Sequence, residues 1–304
     1  MAKSQTVSLS TEVPPIPARN PWMHKGDAGR VLVVAGSSGM VGAAALCSRA
    51  CLRAGAGLVR VGMPWRLAAL VAGRDPDVMT LALPETDDGA ISAMSPPKII
   101  DALEGVNVLA IGPGLGTNPQ TSQAVRNLLP EVTCQLVIDA DALNAIAKNP
   151  EETFSKFKKA PQRPVITPHP GELMRLLGSK HEGKDLGRDE EARKIAARNY
   201  AASNHLVCVL KGHRTVVSDG LRTYVNNTGN PGMAKAGMGD VLTGVIAAFC
   251  AQGYPSFEAA VLGVYIHGLA GDRVRDTLGE IGMMASDVVE QLPLAARAHQ
   301  LGKK

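Results

Sequence analysis

The residues best suited to chemistry lie in a glycine-rich run, Gly229-Asn-Pro-Gly-Met-Ala-Lys-Ala-Gly-Met-Gly-Asp240, which opens a long apolar stretch with helical character. Gly237 and Gly239 let the backbone curl closely. The free N–H groups of a helix start point at whatever sits there, which builds an anion hole for phosphate. Asp240 then falls in the first turn, beside the anion, where a carboxylate can take a proton from an attacking hydroxyl. The plainer reading is an acidic residue that favours the helix dipole. The long glycine-rich lead-in favours chemistry.

Four other segments carry candidate groups. Ile111-Gly-Pro-Gly-Leu-Gly116 sets three glycines at alternate positions, which suits close approach of a ligand or a plain strand-to-helix turn. Val137-Ile-Asp-Ala-Asp-Ala142 ends an apolar run with two carboxylates. Asp141 reads as the cap of a helix over 142–148. Asp139 is either structural or a Mg²⁺ partner through water. In Ile166-Thr-Pro-His-Pro-Gly-Glu172, Pro170 suits the first helical position. His169 just before it is placed to meet a ligand, and Glu172 is a dipole-stabilising residue or an outer-shell Mg²⁺ partner. In Val209-Leu-Lys-Gly-His-Arg-Thr215, Lys211 and Gly212 sit at a strand end. Such a turn can hold a nucleotide with Lys211 near a phosphate, or it is an ordinary turn with a surface lysine.

These segments follow apolar runs, and the runs must position them. Residues 30–36 and 58–62 read as buried strands around a helix at 42–54, a parallel crossover unit. Runs at 106–111, 135–139, 164–167 and 206–210 continue the rhythm, the last after a charged helix at 188–203. Residues 214–217 and 223–225 flank Ser218-Asp219-Gly220 and read as an antiparallel hairpin. Helices are expected at 239–250, 257–274 and 286–298. Strands alternating with helices predict a helix–sheet–helix sandwich, with ligands beyond the carboxyl ends of the strands. Residues 1–23, with four prolines, read as a loose surface arm, and 24–304 as a single catalytic domain.

Taken together, the motifs resemble those of the ADP/ATP-dependent NAD(P)H-hydrate dehydratase family of the ribokinase-like superfamily. The resemblance rests on Lys25-Gly-Asp-Ala-Gly-Arg30 with Val34-Ala-Gly-Ser-Ser-Gly-Met40, Gly112-Pro-Gly-Leu-Gly116, Asp139-Ala-Asp-Ala-Leu143, Thr167-Pro-His-Pro-Gly-Glu172, Leu210-Lys-Gly212, and Asn227-Thr-Gly-Asn-Pro-Gly-Met-Ala234 running into Gly237 and Asp240. It covers roughly residues 24–250 in the family's order. Ala236 stands where the family usually has a second glycine, and Met238 where it often has Thr or Ser.

The resemblance implies a three-layer α/β/α sandwich with a mostly parallel central sheet. It implies that ADP or ATP phosphorylates the hydroxyl left by hydration of a nicotinamide ring, a transfer between anions that needs charge neutralisation, usually by Mg²⁺. Phosphate then leaves and NADH or NADPH is restored from the S epimer. By motif, Asp240 is the catalytic base. Ala43, Gly114 and His169, with Asp240, match substrate-contacting positions. Lys211, Gly212, His213, Arg214 and Thr215, with Gly237, Met238 and Gly239, match nucleotide contacts. Relatives commonly form homotetramers, and many carry a fused epimerase. Only about two dozen residues precede Lys25 here, so the expectation is an epimerase on another chain.

Composition bounds the alternatives. Hydrophobic residues make up 45% and charged residues 20% of the 304, as in ordinary globular domains. Aromatics reach only 3% against 32 glycines, so the core must be built from Ala, Val, Leu and Ile. A net charge of +4 with scattered cations does not argue for nucleic acid. No segment is long and apolar enough to span a membrane, and residues 1–21 lack an apolar signal core. The five cysteines form no metal pattern and read as reduced thiols of a cytoplasmic protein. Two rivals share the fold expectation. One is a kinase for a hydroxymethylpyrimidine or hydroxyethylthiazole vitamin precursor, which the His-Pro-Gly-Glu and Asn-Pro-Gly-Met segments oppose. The other is a non-catalytic nucleotide-binding protein, which has no need of a base at Asp240.

Overall fold

The structure is a computed structural model that describes residues 8–9, 12–148, 150, 154, 162–178 and 185–302. Its strands are β1 (Ser8–Leu9), β2 (Arg30–Val34), β3 (Leu58–Pro64), β4 (Met79–Leu83), β5 (Val108–Ile111), β6 (Gln135–Ile138), β7 (Val165–Ile166), β8 (Val207–Leu210), β9 (Val216–Ser218) and β10 (Arg222–Val225). They form one sheet in the order β1-β10-β9-β8-β7-β6-β5-β2-β3-β4. The pairs from β8 through β7, β6, β5, β2 and β3 to β4 are parallel. Among the described strands, β8–β9 and β9–β10 are the antiparallel pairs, which is the expected hairpin and its neighbour.

Helices cover both faces, so the fold is the α/β sandwich the resemblance implied. One layer holds α1 (Val41–Arg53), α2 (Trp65–Arg74), α8 (Met238–Ala251), α9 (Ser256–Leu278) and α10 (Ala285–Gln300). The other holds α3 (Ser95–Asp101), α4 (Pro119–Leu128), α5 (Ala140–Ile146), α6 (Pro170–Leu177) and α7 (Glu190–Asn204). The strands alternate between these layers. Val31, Val33, Val108, Ala110, Val137, Val207 and Val209 face the first; Leu32, Val34, Leu109, Ile111, Leu136, Ile138, Cys208 and Leu210 face the second. The first face is thus paved with smaller side chains, and the helices on it lie close.

Helix α8 shows why. Twelve of its fourteen residues are buried, as expected for a helix that is apolar all round. It runs between the sheet, α1 and α9. At Gly244 its backbone meets α1 so closely that a side chain would overlap the Cys47 carbonyl oxygen and stand 2.9 Å from the Ala50 methyl. This packing delivers the amino end of α8, with Gly239 and Asp240, to the carboxyl edge of the sheet.

The path of the chain sets a second constraint. From β2 it moves outward through β3 to β4, then returns to β5 on the other side of β2. The crevice between the carboxyl ends of β2 and β5 is therefore the switch point where ligands bind in such sheets. Ser37 and Gly114 line its two sides, joined by a 2.8 Å hydrogen bond from Ser37 Oγ to the Gly114 carbonyl.

Several local expectations shift. The helix read over 142–148 begins at Ala140, so Asp139 takes the N-cap position, where its side chain makes no capping bond. The edge strand β4 and helices α2 to α4 have no counterpart among the sequence expectations, because short half-exposed elements carry weak periodicity. Of the arm read over 1–23, residues 1–7, 10 and 11 lie outside the described part. Ser8 and Leu9 add a strand beside β10. The Pro15 and Pro17 carbonyls accept hydrogen bonds from Tyr254 and Gln300 at 2.8 and 3.0 Å.

Gly244→Ala should cost about 1–3 kcal/mol, because overpacking against backbone cannot be relieved by a rotamer change. Urea unfolding, read as a lowered midpoint at unchanged slope, checks it.

Candidate functional site

The site is assembled from the carboxyl ends of β2, β5, β6, β7 and β8, completed by the amino end of α8. Its centre is Asp139, at the end of β6 and 1% exposed. A carboxylate so buried must be matched by charge and hydrogen bonds. Lys211 Nζ, from the end of β8, donates to Oδ1 at 2.7 Å, and Thr243 Oγ1, from α8, donates to Oδ2 at 2.8 Å. Lys211 Nζ also stands 3.8 Å from Glu172 Oε2. Burial alone would lower the pKa of Lys211, but Asp139, Glu172 and Asp240 more than compensate and hold it above its usual value. The ammonium group is therefore a permanent cation in the floor of the site.

The turn after β6 is unusual. Ala140 has φ +48°, a left-handed conformation that costs a non-glycine residue about 1–2 kcal/mol. It separates two adjacent carboxylates. Asp139 faces Lys211 and Thr243, whereas Asp141 accepts a 2.8 Å hydrogen bond from the Gly116 backbone N–H. The expectation that Asp141 caps a helix is corrected here. It ties the glycine turn after β5 to the turn after β6, and Asn144 donates to its other oxygen at 3.2 Å. The same two turns meet at Gly112, φ +131°, where any side chain would overlap the Asp139 carbonyl. Gly114 packs on Ala43 so closely that a methyl group at 114 would lie 2.8 Å from the Ala43 methyl. The two crevice positions, Ala43 and Gly114, are thus direct neighbours.

His169 is the N-cap of α6. Its Nδ1 accepts from the backbone N–H groups of Gly171 and Glu172 at 3.0 and 3.3 Å. The Glu172 carboxylate accepts in turn from the His169 backbone N–H at 2.7 Å, which closes a capping box. Because Nδ1 is an acceptor, the ring proton belongs on Nε2, on a side chain that is half exposed. Glu172 itself is buried and engaged.

Asp240 differs from every carboxylate around it. Among the described residues its side chain has no hydrogen-bond partner. Burial raises its pKa, the negative charges of Asp139 and Asp141 raise it further, and Lys211 opposes them; the result is about 7. A lone carboxylate that changes protonation near neutrality, in the first turn of a helix and near a fixed ammonium, is equipped to accept a proton.

Beside it opens a cavity of about 480 Å³. Lys211, Gly212, His213, Arg214 and Thr215 line one wall, and Met238, Gly239 and the 226–231 segment line another. At Gly239 α8 comes close to Lys211: a Cβ there would lie 3.3 Å from Nζ. Gly237, with φ +90°, is the N-cap residue that turns the chain into α8. A wider depression of about 960 Å³ lies at the amino ends of β5 and β6, beside Asn107 and Gln135. That edge of an open α/β sheet is not where ligands bind, and none of the candidate residues lines it.

Among the described residues no three His, Cys, Asp or Glu side chains converge as metal ligands. Asp139 and Glu172 each already accept from protein donors, so the donor set suits a cation carried largely by a ligand's own oxygens and by water. Sequence reasoning missed Thr243 and Asp272. Thr243 follows Asp240 by three positions on α8, a spacing that the helix alone makes visible. Asp272 lies on α9 and grips the glycine-rich lead-in, accepting from Gly229 N at 2.8 Å and Asn230 Nδ2 at 3.1 Å. Nothing in the sequence links it to that loop.

Because folding raises the Asp240 pKa from the carboxylate range to about 7, the folded state holds a proton that the unfolded state releases between those limits. Stability from this group is complete below pH 4 and is lost as pH rises through 7. Asp240→Asn should therefore melt roughly 2–5 °C above the parent protein at pH 8, with the gap closing toward pH 4. Thermal melts across that range check it.

The signature of the NAD(P)H-hydrate dehydratase family matches residues 31–294. The chain is 45% identical over 285 residues to the bifunctional NAD(P)H-hydrate repair enzyme of Moorella thermoacetica, and 39% identical over 286 residues to that of Thermofilum pendens. These alignments cover 93% of this chain but 52% and 53% of those proteins, so the chain spans about half the length of the curated relatives it matches. Among solved structures, the ADP/ATP-dependent NAD(P)H-hydrate dehydratase of Bacillus subtilis, co-crystallised with ATP and Mg²⁺, superposes with a TM-score of 0.75 at 27% identity. That match covers 95% of this chain and all of that one. A hydroxyethylthiazole kinase from Pyrococcus horikoshii shares the fold alone, at 15% identity and a TM-score of 0.62 over 89% of each chain. With the signature matched along most of its length and the relatives agreeing, the chain belongs to the NAD(P)H-hydrate dehydratase family.

Proposed function

We propose that this protein repairs the S epimer of hydrated NADH or NADPH, using ADP or ATP as phosphoryl donor. The observation that carries the reading is Asp240: a carboxylate with no protein partner among the described residues, pushed to about 7 by its surroundings, next in sequence to Gly239, which lines the 480 Å³ cavity. Ala43 and Gly114 at the crevice, together with His169 at the end of β7, take the hydrated nicotinamide. The cavity takes the nucleotide along Lys211, Gly212, His213, Arg214 and Thr215, with its terminal phosphate at the Gly237, Met238 and Gly239 backbone.

In this reading Asp240 removes the proton from the ring hydroxyl as its oxygen attacks the terminal phosphorus. The P–O bond to the nucleotide breaks, and the shorter nucleotide leaves with that electron pair. The new C–O–P linkage then opens. Phosphate departs with the C–O electrons, and a ring proton is lost to restore the double bond. Lys211 neutralises charge on the transferred group from a fixed position, held by Asp139. The Nε2–H of His169 donates a hydrogen bond to the hydrate. Mg²⁺, held by Glu172 through water, would neutralise further charge on the phosphates.

The reading brings finer expectations: a homotetramer, a cytoplasmic setting, and an epimerase that converts the other epimer. Among the described residues no helix is long and apolar enough to cross a membrane.

Asp240→Asn should lower turnover by at least about 10²-fold, the usual size of general-base assistance, while ADP binding survives. In the parent protein kcat/KM should fall as pH drops below about 7, since protonated Asp240 cannot act as base. Steady-state kinetics across pH test both, and a wild-type rate in the variant removes Asp240 from the role.

Reduced dinucleotide and phosphate should appear one for one from hydrate plus nucleotide. Chelation of Mg²⁺ should stop the reaction, and added Mg²⁺ should restore it. A phosphorylated product that accumulates without a rise in NADH absorbance would replace this reading with that of a vitamin-precursor kinase.

A further inference from the structure

Arg193 has no part in the steps above, yet it is only 2% exposed and carries a guanidinium group into the protein. It stands on α7, and its Nη2 donates to the backbone carbonyl of His213. Its Nε and Nη1 are buried and have no hydrogen-bond partner among the described residues. Burial lowers its pKa from the usual guanidinium value, Arg214 adds to the shift, and Glu190 opposes it. A buried cation with two unpaired nitrogens, carrying three N–H groups between them, is expensive to keep. The fold does not ask for it: α7 already buries Ala197, Tyr200 and Ala201 in the core.

The position of the guanidinium explains its retention. The loop over 211–215 is tied at both ends. Lys211 N donates to the Pro168 carbonyl at 2.9 Å, and Asn226 N donates to the Thr215 carbonyl at 2.9 Å. Its middle is strained and exposed, with Gly212 at φ +153° and Arg214 at φ +55°. Arg193 reaches this middle from the direction of α7. A Cβ on Gly212 would lie 2.6 Å from Nη1, so the loop backbone rests directly on the guanidinium. Arg193 does not itself line the cavity, whereas every residue of the loop above it does.

We infer that Arg193 is a positioning residue for nucleotide binding, holding the His213 peptide and the Gly212 backbone so that the 211–215 loop is preset toward the cavity. The inference rests on the reading of that cavity as the nucleotide site. It makes the loop an ordered wall whose conformational cost is met before the ligand arrives, which raises affinity without touching the reacting atoms.

The test compares the full chain with R193M and R193K. ADP is titrated by calorimetry, and melting temperature and steady-state constants are measured alongside. R193M removes the charge at similar volume. It should weaken ADP binding and raise the nucleotide KM about tenfold, the scale of a lost hydrogen bond to a charged group. Turnover at saturating nucleotide and the KM for the hydrate should stay within about twofold. The melting temperature should be unchanged or higher, because an apolar side chain removes a desolvation penalty. R193K, which keeps the charge but not the fork, should fall between. Wild-type ADP affinity in R193M overturns the inference. So does a fall in melting temperature with turnover and both KM values worsening together, the mark of a merely structural role. Should R193M fail to fold, wild-type affinity in R193K overturns it. Absence of ADP and ATP binding in the parent protein would instead defeat the reading of the cavity, a separate result.

Discussion

Asp139 is buried at the end of a central strand, and a carboxylate in that place must be neutralised or matched. The protein matches it with Lys211 and Thr243, and the geometry of the site depends on that choice. The pair fixes the Lys211 ammonium between β6, β8 and the start of α8. It uses up Asp139, so that Asp240 feels both a nearby negative charge and the lack of a partner. Removing one member of such a pair typically costs about 3–5 kcal/mol, because the other is left buried and unpaired. The arrangement places an acceptor of protons and a permanent cation side by side, which an apolar core of the same shape would not do.

The sheet serves this arrangement through the size of its side chains. Valine and alanine pave the face toward α1, α8 and α9, and leucine and isoleucine dominate the other. Small residues let α8 approach both the sheet and α1, with Gly244 against the Cys47 carbonyl. Few aromatics are needed when layers interdigitate at this spacing. Packing is therefore what aims the amino end of α8, since helix propensity alone would leave it free to slide along its axis.

The site also holds several features that are unfavourable taken singly. Ala140 adopts a left-handed backbone and, among the described residues, Asp240 is desolvated without a partner and Arg193 buries two unpaired nitrogens. They cluster around one cavity and one crevice. Strain gathered at a site is the expected exchange of stability for preorganised chemistry. A shared fold does not imply such a cluster, which is why the likeness to a thiazole kinase at 15% identity speaks only for the sandwich.

Much of this is legible in the order of the residues. Apolar runs ending in glycine or aspartate mark the strands, because a buried parallel strand needs such a run and a ligand edge needs close backbone approach. The Gly237, Gly239 and Asp240 turn, the Lys211 loop and the His169 turn stand out for the same reason: their chemistry lies within a few consecutive residues. Short half-exposed elements such as β4 do not, since their pattern is diluted by solvent-facing residues. Nor do pairings across the chain. That Asp141 binds Gly116 and leaves the helix uncapped follows from a backbone turn at Ala140 and the meeting of two strand ends. That Asp272 grips the loop at Gly229, Thr243 completes Asp139, and Arg193 lies beneath Gly212 follows from helices brought together by the core. Local sequence determines which residue types stand at each strand end, because those depend on neighbours in the chain. Tertiary structure alone decides which carboxylate is paired and which is left free, because charge and burial are set by residues distant in sequence and adjacent in space.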